Sequence, residues 1–164
     1  MLARLLELAK IDYTVFERDD SPSARNQGGT LDIHVNSGQI ALREAGLFDQ
    51  FKSRARWNVA TIMADKQGSI FARMESEGEE TDRPEIDRRD LRSILLDSIP
   101  KSKVQWGSRI QSVTKETDGL VSVHHEEGVE SGFRLVVGAD GAWSKARRLV
   151  SLEIEGMYTT IRHC

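Results

Sequence analysis

The chain has 164 residues, with 23 Lys+Arg against 26 Asp+Glu and a net charge of -3. Residues of hydrophobic type make up 38%, and the 13 glycines bring this to about 46%, the band of ordinary globular domains. The charge has the wrong sign for a nucleic-acid partner, and no apolar run approaches the ~18 residues of a membrane span. The single cysteine, Cys164, excludes an intrachain disulfide and fits a reducing, cytoplasmic compartment.

In chain order, MLARLLELAK reads directly as helix, with Leu2, Leu5, Leu6 and Ala9 on one face. No capping residue precedes it, so the helix looks entered partway along. Residues 11–18 are β-branched and aromatic and read as a strand ending in Glu17 and Arg18. Residues 19–29 form a polar, turn-rich loop that ends in Gly28 and Gly29. A short strand is expected over Thr30–His34. A helix follows, capped by Ser37 and closed by Gly46, and Leu47, Phe48 and Phe51 cluster beyond it.

Two strands, Val59–Ala64 and Ser69–Met74, turn at Gly68, and the acidic run 75–83 reads as a solvated loop. Asp87 is expected to cap a helix bearing Leu91, Ile94, Leu95 and Ile99, stopped by Pro100. Strands are expected at Val104–Trp106, Arg109–Glu116 and Leu120–His125, the last two joined at Asp118-Gly119. Phe133–Val137 has the continuous apolar character of a buried strand. It leads into the turn Gly138–Gly141 and a basic helix over Ser144–Val150. No repeat or linker divides the chain, and the order of elements indicates an α/β fold with a β-rich insertion.

Three constellations carry possible chemistry. Glu17 stands at a strand end, where open α/β sheets bind ligands and an acid can accept ribose hydroxyls; an ordinary surface strand end is the alternative. Arg88 and Arg89 stand at a helix N-terminus, where the macrodipole disfavours cations and an anionic ligand would offset both charges. Pairing with Glu85 or Asp90 would do the same. The run RLVVGADGAWSKARR places Asp140 in a glycine turn that permits close backbone approach to a ligand, and Ser144 can cap the helix that follows.

These residues resemble a known family. GADGAWSKARR is similar to the Asp-Gly fingerprint of flavin-dependent aromatic monooxygenases of the para-hydroxybenzoate hydroxylase type. The segment from Leu2 to Phe51 resembles more closely the tetracycline-inactivating monooxygenases and their fungal relatives. PEIDRRDLRSILL resembles the segment that supplies a flavin-contacting arginine. The resemblance implies a partial Rossmann-like FAD-binding fold over residues 1–150, with residues 151–164 opening the substrate-domain region. It implies that Glu17 accepts the FAD ribose hydroxyls with Arg18 near the adenosine, and that Arg25 contacts NADPH. Gly28 and Gly29 would pass close to the isoalloxazine, with Asp32 and Arg88 contacting the flavin. Asp140 would orient the pyrophosphate or assist NADPH.

The family's first strand and its GxGxxG phosphate loop would precede Met1, so the chain is expected to be an interior piece of a longer flavoprotein and inactive alone. The implied reaction inserts one atom of molecular oxygen into a small organic substrate, aromatic or polyketide-like, at the expense of NADPH. No residue stands out as a catalytic acid or base, and no metal site is expected. Another FAD-dependent oxidoreductase of the same fold (oxidase, halogenase or reductase) and a non-catalytic truncated product remain the alternatives.

Overall fold

The computed structural model describes residues 1–25, 28–57, 60–74 and 82–150. The expected acidic loop, apart from its last two residues, lies outside them, as do Val59 of the expected third strand and the region 151–164. The chain forms two compact units. The first comprises Met1–Val15 and Arg25–Val104, the second Phe16–Ala24 and the chain from Gln105 onward. The boundary falls inside two short strands, β1 (Val15–Phe16) and, later in the chain, Val104–Gln105.

In the first unit, α1 (Leu2–Leu8) begins where the apolar spacing predicts. Arg4 fastens it, its Nε donating to the Ala45 carbonyl and its Nη1 to the Ser98 carbonyl, both at 3.1 Å. These carbonyls close α2 (Gly38–Glu44) and α4 (Arg88–Asp97), so the cation meets the negative ends of two helix dipoles. Gly46 terminates α2 with φ of 67°, and the Leu47 amide donates back to the Leu42 carbonyl at 2.8 Å. That is the glycine stop read from the sequence. The Ser37 side chain, by contrast, makes no capping hydrogen bond.

The cluster Leu47, Phe48 and Phe51 is itself helical, as part of or directly before α3 (Phe48–Arg54). Leu42, Ala45, Leu47, Phe51, Ile86 and Ile94 form the buried core, with Trp57 and Leu91 packed against it. β2 (Thr30–Asp32) is shorter than expected. It pairs antiparallel with β5 (Glu85–Asp87), an element absent from the sequence reading, in the register Thr30↔Asp87, Leu31↔Ile86 and Asp32↔Glu85. The hairpin of β3 (Thr61–Ala64) and β4 (Ile70–Met74) forms as expected, its turn organised by Asp65 Oδ1 accepting the amides of Gln67 and Ser69.

In the second unit, β7 (Ile110–Lys115), β8 (Val121–His125) and β9 (Gly128–Phe133) make a three-stranded antiparallel sheet, with β6 being the strand Val104–Gln105. Val113 and Val123 face each other across it and are buried. Phe16 packs edge-on against Phe133 and beside His125, with ring centroids 5.9 and 6.1 Å away.

The buried strand expected at Phe133–Val137 is not formed. Strand pairing ends at Phe133, and Leu135 and Val137 are 76% and 56% exposed. An apolar run becomes a buried strand only when a neighbour supplies both hydrogen bonds and cover, and among the described residues nothing pairs with 134–138. The strand lies earlier instead, in the glycine-containing run Gly128–Phe133, where pairing with β8 outweighs poor intrinsic propensity. What stands is a mixed helix and strand fold whose registered strand pairs are antiparallel.

Candidate functional site

In the first unit, β2 and β5 bring four of the sequence-derived residues together. The Arg88 amide donates to the Gly29 carbonyl at 3.0 Å, joining the start of α4 to the glycine pair. Gly29 has φ of 88°, a conformation that favours glycine. A Cβ there would lie 3.8 Å from the Arg88 Nε, and one at Gly28 would meet nothing within 4 Å. The backbone at 28–29 is therefore open to close approach, with the arginine side chain beside it.

Arg88 is exposed, and its guanidinium has neither hydrogen bond nor ion pair among the described residues. The alternative partner Glu85 is engaged by Arg56 instead. Asp87 occupies the N-cap position of α4 without bonding the helix amides. Its carboxylate also meets Arg56, at 3.2 Å, where a cap to the helix was expected. Asp32 is exposed and sits directly opposite Glu85, a like-charge pairing across strands that is unfavourable unless a cation lies nearby. Arg25 belongs to the same unit, exposed in the loop ahead of the glycines.

The other three residues lie in the second unit. Glu17 follows β1, half-buried, in a ladder of backbone bonds at 2.9 Å: its amide to the Gln105 carbonyl, the Ser108 amide to its carbonyl, and the Gly107 amide to the Asp19 carbonyl. One carboxylate oxygen accepts the Asp19 amide at 3.0 Å. Arg18 is exposed next to it.

Asp140 ends the unpaired segment and is turned back on its own loop, its Oδ2 accepting the Lys145 amide at 2.6 Å. Gly141–Trp143 forms a 3₁₀ turn, and the helix α5 is only Arg147–Val150, shorter than the Ser144–Val150 expected. Ser144 caps it as expected, its Oγ accepting the Arg147 amide at 3.2 Å. Arg147 stands at the first position of α5 and spends its guanidinium on the carbonyls of Ala142 and Gly141, at 2.7 and 3.2 Å. Gly138 admits no side chain, because a Cβ there would sit 2.7 Å from that of Ala146.

Burial opposes ionisation of Asp140. Hydrogen bonds from the Ser144 hydroxyl and the amides of Lys145, Asp140 itself and Ala146 outweigh it and hold the carboxyl below its ordinary value of 3.8. A depressed carboxylate contributes stability that is fully present above its unfolded value and is lost as pH falls through the lower folded one. The turn is therefore expected to stay closed at about pH 4 and to open only under stronger acid. The Lys145 amide resonance followed against pH checks this, and a titration centred at the ordinary aspartate value would contradict it.

The residue missed by the sequence reading is Arg56. It precedes the carboxylates it binds by 29 and 31 positions, and no local pattern links them.

Comparison with known proteins identifies the class. The chain matches the FAD binding domain family over residues 1–163 and belongs to it. The monooxygenase asqM of Emericella nidulans is 31% identical over 167 residues, covering 92% of this chain and 37% of its own length. The monooxygenase penA of Penicillium thymicola is 29% identical over 161 residues, covering 92% of this chain and 36% of its own. Among solved structures, the tetracycline destructase Tet(55) superposes with a TM-score of 0.70 at 26% identity, covering 92% of this chain and 37% of that one. The chain thus spans a little over a third of the length of these relatives. Among the described residues, no helix is long and apolar enough to cross a membrane.

Proposed function

We propose that this chain is the FAD-binding portion of an NADPH-dependent monooxygenase that inserts one oxygen atom into a small organic substrate. The observation that carries the reading is the uncompensated Arg88 guanidinium beside the open Gly28-Gly29 backbone. A flavin dinucleotide needs this combination, a cation for its anionic groups and backbone that a planar ring can approach closely. When bound, FAD supplies the redox chemistry, and the protein supplies position and electrostatics. In the overall balance NADPH and a proton are consumed with molecular oxygen. One oxygen atom enters the substrate and the other leaves as water.

Within this reading Arg88 holds the anionic or carbonyl oxygens of the flavin and Asp32 orients its polar edge. Arg25 serves NADPH, Glu17 accepts the ribose hydroxyls of the FAD, and Arg18 lies near the adenosine. Asp140 acts on the pyrophosphate region by fixing the turn 140–146, since its carboxylate is committed to that loop. Residues 1–150 then form a Rossmann-like FAD-binding domain with inserted strands, and 151–164 open the substrate region.

Titration of the chain with FAD, followed by quenching of flavin fluorescence, tests the reading. Micromolar or weaker binding is expected, and no binding at saturating chain concentration would overturn it. Glu17→Gln separates a ligand role from a structural one. The glutamine oxygen can still accept the Asp19 amide, so the thermal midpoint without FAD is expected to stay in place while FAD affinity falls. An equal loss of stability without FAD would mark Glu17 as structural only.

A further inference from the structure

Arg56 lies just beyond α3, and its main chain bridges β5 in both directions: its amide donates to the Glu85 carbonyl at 2.7 Å, and the Glu85 amide donates to its carbonyl at 3.0 Å. Its Nη2 reaches Glu85 Oε2 at 3.4 Å and Asp87 Oδ1 at 3.2 Å. One guanidinium thus engages the carboxylates one and three residues before Arg88. Asp87 would otherwise be free to cap α4, and it does not. β5 is held on one edge by β2 and on the other by Arg56.

We infer that Arg56 is a positioning residue for the flavin site: by holding Glu85 and Asp87 it keeps the carboxylates nearest in sequence from neutralising Arg88, and it pins the strand end from which Arg88 projects. The inference rests on the reading of Arg88 as the flavin's cationic contact. The physical argument is competition. A carboxylate without its partner turns to the nearest available cation, and Arg88 is adjacent in the chain to Asp87 and has no partner of its own among the described residues. Glu85 carries a second pressure, because it stands opposite Asp32 and Arg56 is the cation bound to it there. The fork of Arg56 suits it to serve two carboxylates at once, which a lysine's point charge does less well.

The test is FAD titration at low ionic strength on the full chain, with thermal unfolding measured in parallel. Arg56→Met is expected to bind FAD about two- to fivefold more weakly, the scale of exposed charge interactions. Arg56→Met/Asp87→Asn is expected to regain most of that loss although the ion pair is still absent, because the competing carboxylate is gone. A purely structural role predicts the opposite, a double variant at least as weak as the single one, and that result would overturn the inference. Arg56→Lys keeps the charge and so protects folding. It is expected to weaken binding less and to be restored in the same way by Asp87→Asn, which keeps the test open if the methionine variant does not fold. Wild-type affinity in both Arg56 variants overturns the inference alone when Arg88→Ala still weakens binding. Unchanged affinity in Arg88→Ala overturns the reading of Arg88 itself.

Discussion

Replacing Arg88 with alanine is expected to weaken FAD binding roughly tenfold or more, the equivalent of losing a charge-assisted hydrogen bond of about 1.5–3 kcal/mol. The expectation rests on an arginine that meets no acidic partner among the described residues, at the first position of a ten-residue helix. A cation there opposes the helix dipole by tenths of a kcal/mol, so its removal in the absence of ligand should leave stability unchanged or slightly raised. This opposite response of affinity and stability distinguishes a binding residue from a structural one. Titration of flavin fluorescence with the variant, alongside its thermal midpoint, measures both. Wild-type affinity would remove Arg88 from the site, and a large fall in midpoint would make it part of the scaffold.

Phe51→Ala is expected to be the most damaging substitution for the fold, at about 3–5 kcal/mol. Phe51 is fully buried in the first unit's core, with the Phe48 ring tilted and the Trp57 ring edge-on against it, both centroids at 6.0 Å. Arg43 lies 3.4 Å above the Phe48 ring, and Lys52 is over Trp57, so these aromatics are anchored from outside and cannot easily collapse into a void. Against a typical domain stability of about 5–15 kcal/mol, the loss would be a large fraction of the whole. Ile86 of β5 belongs to the same core and is flanked by Glu85 and Asp87, so the damage should reach the strand that precedes Arg88. Urea unfolding of the variant gives the number directly. A loss below about 1 kcal/mol, smaller than any expected for a buried phenylalanine, would mean that the core repacks around the site.

The sequence by itself determined the elements whose signals are local. The apolar stripe of α1, the Gly46 stop of α2, the hairpin turning at 65–69, and the amphipathic run with Leu91 and Ile94 all stand where their spacing puts them. Each depends on residues within a turn or two of one another, and that is the range over which side-chain periodicity and turn chemistry act. The family followed from three ordered motifs, and the match over residues 1–163 bears it out.

Tertiary pairing decided the rest. Glu85–Asp87 reads as the lead-in to a helix, yet it is a strand, because β2 on one side and Arg56 on the other satisfy its backbone. Phe133–Val137 reads as a buried strand, yet pairing stops at Phe133 and Leu135 and Val137 stay exposed, because an apolar run cannot supply its own hydrogen-bonding neighbour. The same distinction runs through the candidate site. Arg88, Gly29 and Asp32 were legible as residue types, but the charge state of their surroundings was not. Asp87 could be placed at a helix N-terminus from sequence; only the fold shows its carboxylate turned to an arginine 31 residues earlier. Electrostatic partnership is a property of distance in space, and chain order fixes that distance only for near neighbours.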